Sequence, residues 1–328
     1  LYRPFDIRPI FYHKALIDRS RPEVMHHMLA GNNLGLIAMR QVSLDEPYSH
    51  FDCTRLIVDN RAFYSNKGIQ CLFPLYLYPA EGEMNFDGNE RRPNLNPAFI
   101  KELEAKLGMG YLPHPLIPSP STERGDECAG ANSPSLRAEG DECAGANSPS
   151  LRAEREPEGE VKDVFTPEDI FDYAYAVFHS PTYRTRYAEF LKIDFPRLPL
   201  TSDKELFKAL GEKGAELVSL HLMEALILNT LITRYPIDGS HKVGKVEYNE
   251  DNRRVYINKT QYFEGVPPEV WNFHIGGYQV CHKWLKDRKD RNLSYDERVH
   301  YQKVVVALKE TIRLMEEIDD IIPGWPIE

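Results

Sequence analysis

Apolar positions recur in two different rhythms along this chain, and the change of rhythm falls near its middle. Before residue 115 the apolar runs are short: IRPIFYH, LGLIAMRQV, TRLIVD and CLFPLYLYP, each bounded by Gly, Asn, Asp or Pro. Such runs predict strands. Two helices interrupt them. One is expected over Pro22–Ala30, with Pro at its first turn and Gly31 after it. The other is expected over Pro97–Leu107, closed by Gly108. After residue 163 the spacing becomes helical. Thr166 is placed to cap Pro167–His179, and Ser180 to cap a helix opening at Pro181. Asp203–Leu210 and Glu216–Ile232 follow as two helices. Tyr295–Ile318 carries Val299, Val304, Val305, Leu308, Ile312, Met315 and Ile318 near one stripe. Between them KVGKVEYNEDNRRVYIN reads as a hairpin turning at Asn249–Asn252. The fold class expected is α+β: a β-rich part over residues 1–115 and a mainly helical part over 164–328.

Residues 116–163 separate the two parts. GDECAGANSPSLRAE occurs twice in succession, at Gly125–Glu139 and Gly140–Glu154, identical over all 15 positions. Two polar copies are too few to stack as a solenoid. With almost no large apolar residue, the segment cannot offset its ordering entropy. It is expected to be a disordered, acidic insertion, and Cys128 and Cys143 are carried along by the repeat.

Charge sharpens this picture. The net charge of −10 argues against a free-standing nucleic-acid binder. Its distribution matters more, because residues 121–163 hold 11 acids against 5 bases. Leu1–Arg21 has five Arg or Lys against Asp6 and Asp18. Near the C-terminus, Lys283, Lys286, Arg288, Lys289 and Arg291 stand against only Asp287 and Asp290, beside Phe263, Trp271, Phe273, Tyr278 and Trp284. Cations at that density suit phosphate contacts, and a solvated helix face with Trp284 turned inward explains them equally well. Gly276-Gly277 ahead of this run permits a tight turn or close backbone approach.

Catalytic chemistry is absent by motif. No Walker loop, nucleophile elbow or CxxC pair occurs. Pro93–Pro97 lacks the aromatic of an adenine-methyltransferase motif and reads as a turn before a helix. Glu104-Ala105-Lys106 and Glu160-Val161-Lys162 have nuclease-like spacing, one on a helix and one in the insertion. His26 and His27 are adjacent on a helix and make a poor ligand pair. Five scattered cysteines fit a reducing cytoplasm. No run reaches the roughly 18 apolar residues of a membrane helix, and no signal pattern opens the chain. Leu1 in place of an initiating Met suggests a piece of something longer.

Several collinear segments carry a resemblance. They are YRPFDIRPIFYHKALIDRSRPEVMHHML at Tyr2–Leu29, LFPLYLYP at Leu72–Pro79, PNLNPAFI at Pro93–Ile100, IFDYAYAVFHSPTYRTRYAEFLKIDFPRLPLTSD at Ile170–Asp203, QYFEGVPPEVWNFHIGGYQVCHKWLKDRKDR at Gln261–Arg291 and HYQKVVVALKETIRLMEEID at His300–Asp319. Together they resemble the C-terminal target-recognition region of type ISP restriction-modification enzymes, over nearly the whole chain except Leu116–Asp163. Those bacterial defence proteins join a nuclease, a helicase-like motor, an adenine-specific DNA methyltransferase and a recognition region in one chain. The resemblance implies double-stranded DNA and an upstream methyltransferase domain as partners. It implies S-adenosylmethionine, ATP and Mg²⁺ for domains outside this chain, and no cofactor within it.

On that footing the candidate DNA contacts are Arg40 and Gln41 at a strand end ahead of the polar segment Ser43–His50, Arg184 and Arg186 at a helix start, and Lys283, Lys286, Arg288, Lys289 and Arg291. Lys283, Lys286 and Arg288 are expected on the phosphate backbone. Two alternatives remain open: a docking domain with few DNA contacts, and a decayed gene remnant.

Overall fold

The structure is a computed structural model describing residues 1–13, 15–18, 20–42, 48–79, 91–113 and 163–327. Residues 116–162 of the expected insertion, which include Glu160-Val161-Lys162, and residues 43–47 of the expected loop Ser43–His50 lie outside the described residues; Tyr48–His50 are buried.

The N-terminal part is built on a three-stranded antiparallel sheet. β1 (Gly35–Ala38) lies between β2 (Phe51–Thr54) and β3 (Cys71–Pro74), pairing Gly35 with Thr54 on one side and with Pro74 on the other. Helix α1 (Pro22–Leu29) packs on β3 through Met25 and Met28. β4 (Tyr76–Leu77) pairs with β5 (Arg92–Pro93). Helix α2 (Pro97–Leu107) follows, capped by the Asn96 side chain and closed by Gly108 at φ 61°. Asn94 donates to the Pro74 carbonyl at 2.9 Å. Pro93–Pro97 is therefore the expected turn before a helix, and the structure adds Asn96 as that helix's cap.

Two expected strands fall elsewhere. Ile7–His13 joins no sheet among the described residues, and Ile7, Ile10 and Phe11 are exposed. Pro9 offers no N–H to a ladder. TRLIVD gives way to β2 because Thr54 turns the chain, its Oγ1 accepting from the Leu56 amide at 3.0 Å.

The chain leaves the N-terminal part at β6 (Gly110–Tyr111), which pairs in parallel with β7 (Val164–Phe165) beyond the insertion. Helix α3 (Pro167–His179) then starts from a complete Thr166/Asp169 capping box. It is followed by α4 (Pro181–Arg186), α5 (Ala188–Leu191) and α6 (Lys204–His221). The sequence pattern predicts two helices where α6 is one. Gly211 and Gly214 do not break it, and a Cβ on Gly214 would lie 1.8 Å from the Asp172 carbonyl oxygen. Glycine there lets α6 approach α3 closely. The expected continuation to Ile232 fails. Met223 adopts φ 63° and the Glu224 amide donates back to the Ser219 carbonyl at 2.9 Å, a left-handed helix stop. Only a single turn at Leu226–Asn229 remains helical there.

The hairpin of β8 (Glu247–Asn249) and β9 (Arg254–Tyr256) forms as expected, and β10 (Tyr262–Glu264) adds a third strand that the sequence reading missed. The helix α7 (Pro268–Trp271), the ribbon of β11 (His274–Ile275) and β12 (Tyr278–Gln279), and α8 (Val280–Lys286) lead to the long α9 (Tyr295–Ile321), which opens with a Ser294/Glu297 capping box. The middle of α9 is buried on every side from Val304 to Leu308, because α3, α6, α7 and α8 all pack on it.

One hydrophobic core runs through both parts. Phe51 of β2 stacks on Phe178 of α3 at 4.7 Å. The α+β expectation therefore holds, with the strands shorter than their apolar runs. Among the described residues no helix is long and apolar enough to cross a membrane.

Candidate nucleic-acid interface

The basic run near the C-terminus is presented by a turn that only glycine accommodates. Gly276 and Gly277 adopt φ 58° and 77° between β11 and β12, the geometry of a two-residue hairpin turn. The Gly276 amide donates to the Ser49 carbonyl at 2.8 Å, and its own carbonyl accepts from the Tyr64 amide at 2.7 Å. A Cβ on Gly276 would lie 2.0 Å from the Phe63 ring, and one on Gly277 2.7 Å from the Tyr64 carbonyl oxygen. The close approach foreseen for this pair is thus made to the N-terminal part of the same chain.

Helix α8 buries Val280, Cys281, Trp284 and Leu285. Its cations divide. Lys283 pairs with Asp287 and lies 5.3 Å from the Tyr278 ring centre. Arg288 is 7% exposed. It bonds Asp6 Oδ1 at 2.9 Å, Glu297 Oε1 at 3.3 Å and the Trp284 carbonyl at 3.1 Å, with its guanidinium 3.5 Å over the Trp284 ring. Arg288 is expected on the phosphate side, but the fold directs it inward. It follows Trp284 by four residues, and that spacing carries it to the side of the buried indole. Arg291 is exposed and reaches Glu297 at 3.2 Å. Lys286 and Lys289 are exposed, and among the described residues neither forms an ion pair.

A second neighbourhood gathers the remaining candidates. Beyond β1, Arg40 Nε meets Asp194 at 3.1 Å and Gln41 donates to the Ile193 carbonyl at 3.2 Å. The Asp194 carboxyl is held below its usual range, first by the Phe195 backbone amide and then by Arg40. Tyr183 is buried and donates to the Arg197 carbonyl at 2.8 Å. Arg184 turns into the interior, where its Nε donates to the Phe178 carbonyl at 2.7 Å. Burial lowers its pKa to about 10. Arg186 is exposed at the end of α4. These elements enclose a cleft of about 600 Å³ lined by Arg40, Tyr183, Tyr187, Phe190, Ile193 and Arg197. Phe190 is 70% exposed at its edge. Flat rings with cations around them suit nucleic-acid contact. The sequence reading missed Phe190 and Arg197, because only folding brings residues 190–197 against Arg40.

Other titratable groups sit in the interior. Tyr175 bonds His221 Nδ1, and His221 Nε2 bonds Thr311 Oγ1 at 3.0 Å. Burial lowers the His221 pKa to about 3 and pushes the Cys53 thiol well up. Neutral histidines and a protonated thiol are not an activated nucleophile pair. His179 ends α3, and Ser180 caps α4, accepting from the Tyr183 amide at 3.0 Å. Among the described residues no three His, Cys, Asp or Glu side chains gather to hold a metal.

The Type ISP C-terminal specificity domain matches residues 1–317. The chain belongs to that family. No curated protein matches it. The fold of this specificity domain is shared with solved structures. It is similar to the ATP-dependent Type ISP restriction-modification enzyme LlaBIII bound to DNA (TM-score 0.65, 18% identity, all of this chain and 18% of that one). It is similar to the DrdV–DNA complex (TM-score 0.64, 18% identity, 97% of this chain and 28% of that one). It also resembles a nuclease-deletion mutant of the Type ISP enzyme LlaGI with a DNA substrate mimic (TM-score 0.58, 16% identity, all of this chain and 25% of that one). The specificity domain thus spans less than a third of each of these proteins.

Proposed function

We propose that this chain is the DNA target-recognition module of a larger type ISP-like restriction-modification enzyme. Its task is to hold duplex DNA in register while an upstream methyltransferase domain flips and modifies an adenine. The observation that carries the proposal is membership of the specificity-domain family over residues 1–317. The exposed Lys286 and Lys289, unpaired among the described residues, then serve with Arg291 as phosphate contacts, and Lys283 supports them from its pair with Asp287. Arg40, Gln41 and Arg186 serve the cleft side. Arg184 and Arg288 act from within, holding the elements that present those contacts. Such a module works in the cytoplasm, where the DNA is, and needs no cofactor of its own. S-adenosylmethionine, ATP and Mg²⁺ belong to the rest of the enzyme.

The docking-domain reading keeps one support, the net charge of −10. Salt separates the two. A phosphate-gripping module loses affinity for a mixed-sequence duplex by orders of magnitude between about 50 and about 200 mM salt. Absent or salt-independent binding by the 328-residue chain favours docking.

A further inference from the structure

Residues 60–79 contain Arg61 and Lys67 and no Asp or Glu. In a chain with 50 acids among 328 residues, that is a local island of positive charge. The island lies mostly in the loop between β2 and β3, and the loop is fastened at its base. Ala62 and Phe63 are buried, at 0% and 3% exposure. The Ala62 amide donates to the Asp59 carbonyl at 3.0 Å, and Gln70 bonds the same carbonyl from the far end of the loop. The Gly276-Gly277 turn clamps Tyr64 from the other side, and His50 Nε2 bonds the Tyr64 carbonyl at 3.0 Å.

Beyond that base the loop is open. Tyr64 is 61% exposed, and Asn66, Lys67 and Gly68 are all exposed. Among the described residues the side chains of Arg61 and Lys67 form no ion pair. The nearest acid in sequence, Asp59, is engaged with Arg3 at 3.2 Å and with the Arg61 amide at 2.8 Å. Tyr64 and Tyr278 stand 6.0 Å apart, and the Tyr278 hydroxyl donates to the Arg61 carbonyl at 3.2 Å. Tyr278 opens the segment that continues through Lys283 to Lys286, so the loop borders the basic run of α8.

Resting on the target-recognition reading, we infer that Arg61–Gly68 is a second DNA-contacting element, a pre-set finger beside α8. Arg61 and Lys67 grip backbone phosphates, and Tyr64 and Asn66 face the groove. A loop on a rigid base with a polar, cationic tip binds with little ordering cost. Its cations are free to release counterions, unlike those of Arg3 or Arg288.

The test uses the 328-residue chain, a short labelled duplex of mixed sequence and a salt titration. Arg61→Ala/Lys67→Ala should bind about ten-fold more weakly near 100 mM salt, with a salt slope smaller by about two. Its circular dichroism and thermal midpoint should match wild type. Lys101→Ala/Lys106→Ala, on exposed positions of α2, removes the same charge elsewhere and should leave binding intact. The inference fails if the loop variant keeps wild-type affinity and slope while Lys286→Ala/Lys289→Ala lowers both; the recognition reading then survives. It also fails if the α2 variant weakens binding equally, since net charge alone is then at work. If the wild-type chain shows no salt-dependent binding, the inference and the recognition reading fall together.

Discussion

The basic run Lys283–Arg291 and the loop Asn60–Gln70 are neighbours across the Gly276-Gly277 turn, and they use positive charge in opposite ways. The run holds five cations, of which Lys283, Arg288 and Arg291 are taken by Asp287, Asp6 and Glu297. The loop holds two, and neither is paired among the described residues. Charge density along a sequence therefore overstates what is available at a surface. What counts is the number of cations left without an internal acid. Desolvation explains the division. Arg288 and Asp6 are out of water, where each charge needs its partner. Arg61, Lys67, Lys286 and Lys289 keep their hydration and can exchange it for phosphate.

The comparison breaks first at its buried side. Arg288→Ala takes the buried guanidinium from Asp6, 1% exposed, leaving it Arg8 at 3.1 Å, and should cost up to about 3–5 kcal/mol. Urea unfolding measures this, and a loss below about 1 kcal/mol would show that the pair is not the anchor described. The double variant Arg288→Met/Asp6→Leu should recover much of the loss.

A second buried charge gives a pH signature. Burial raises the Asp52 pKa to about 7. The unfolded carboxyl ionises near pH 4, so between about pH 4 and pH 7 the unfolded chain binds fewer protons than the folded one. Asp52 therefore lowers stability as pH rises through that window. Asp52→Asn should stabilise the protein at pH 8 by up to about 4 kcal/mol and do little at pH 4. Thermal midpoints at both pH values check the sign. Equal gains at both pH values would assign the effect to packing. His50 and His221, lowered by burial to about 4 and about 3, act in the other direction and destabilise the fold as pH falls below about 6.5.

The clamp between the two regions comes next. Gly277→Ala places a Cβ 2.7 Å from the Tyr64 carbonyl oxygen at a φ of 77°, and should cost about 1–3 kcal/mol. If the loop and the run act together, this variant should also weaken duplex binding at temperatures where it remains folded. Intact binding would separate the two regions functionally.

The smallest effect on stability belongs to the exposed side. Lys286→Ala/Lys289→Ala should stay within about 0.5 kcal/mol of wild type while the salt slope of duplex binding falls by about two. An unchanged slope would remove α8 from the interface.

How much of this was legible in the sequence depends on the range of the interaction involved. Helix starts were legible because caps are local. Thr166 and Ser180, the two caps read from the sequence, each meet a donor three residues away. The β8–β9 turn and the glycine pair were legible for the same reason. The helix stop at Met223 was not, because nothing in Leu222–Ile232 forbids a helix by propensity. A left-handed residue and the ion pair between Glu224 and Arg55 at 2.9 Å close it instead. The family was legible from collinear segments across the chain, although no single motif carried it.

By itself, then, the sequence determined the α+β class, most helix boundaries and the family, all of which rest on periodicity, caps and order along the chain. Only the tertiary structure decided which cations remain free. Arg288 meets Asp6 across 282 positions, Arg40 meets Asp194 across 154, and Tyr64 meets Gly276 through a contact between the two parts of the chain. An ion pair depends on distance in space and on loss of water, and neither is written in the spacing of residues along the chain.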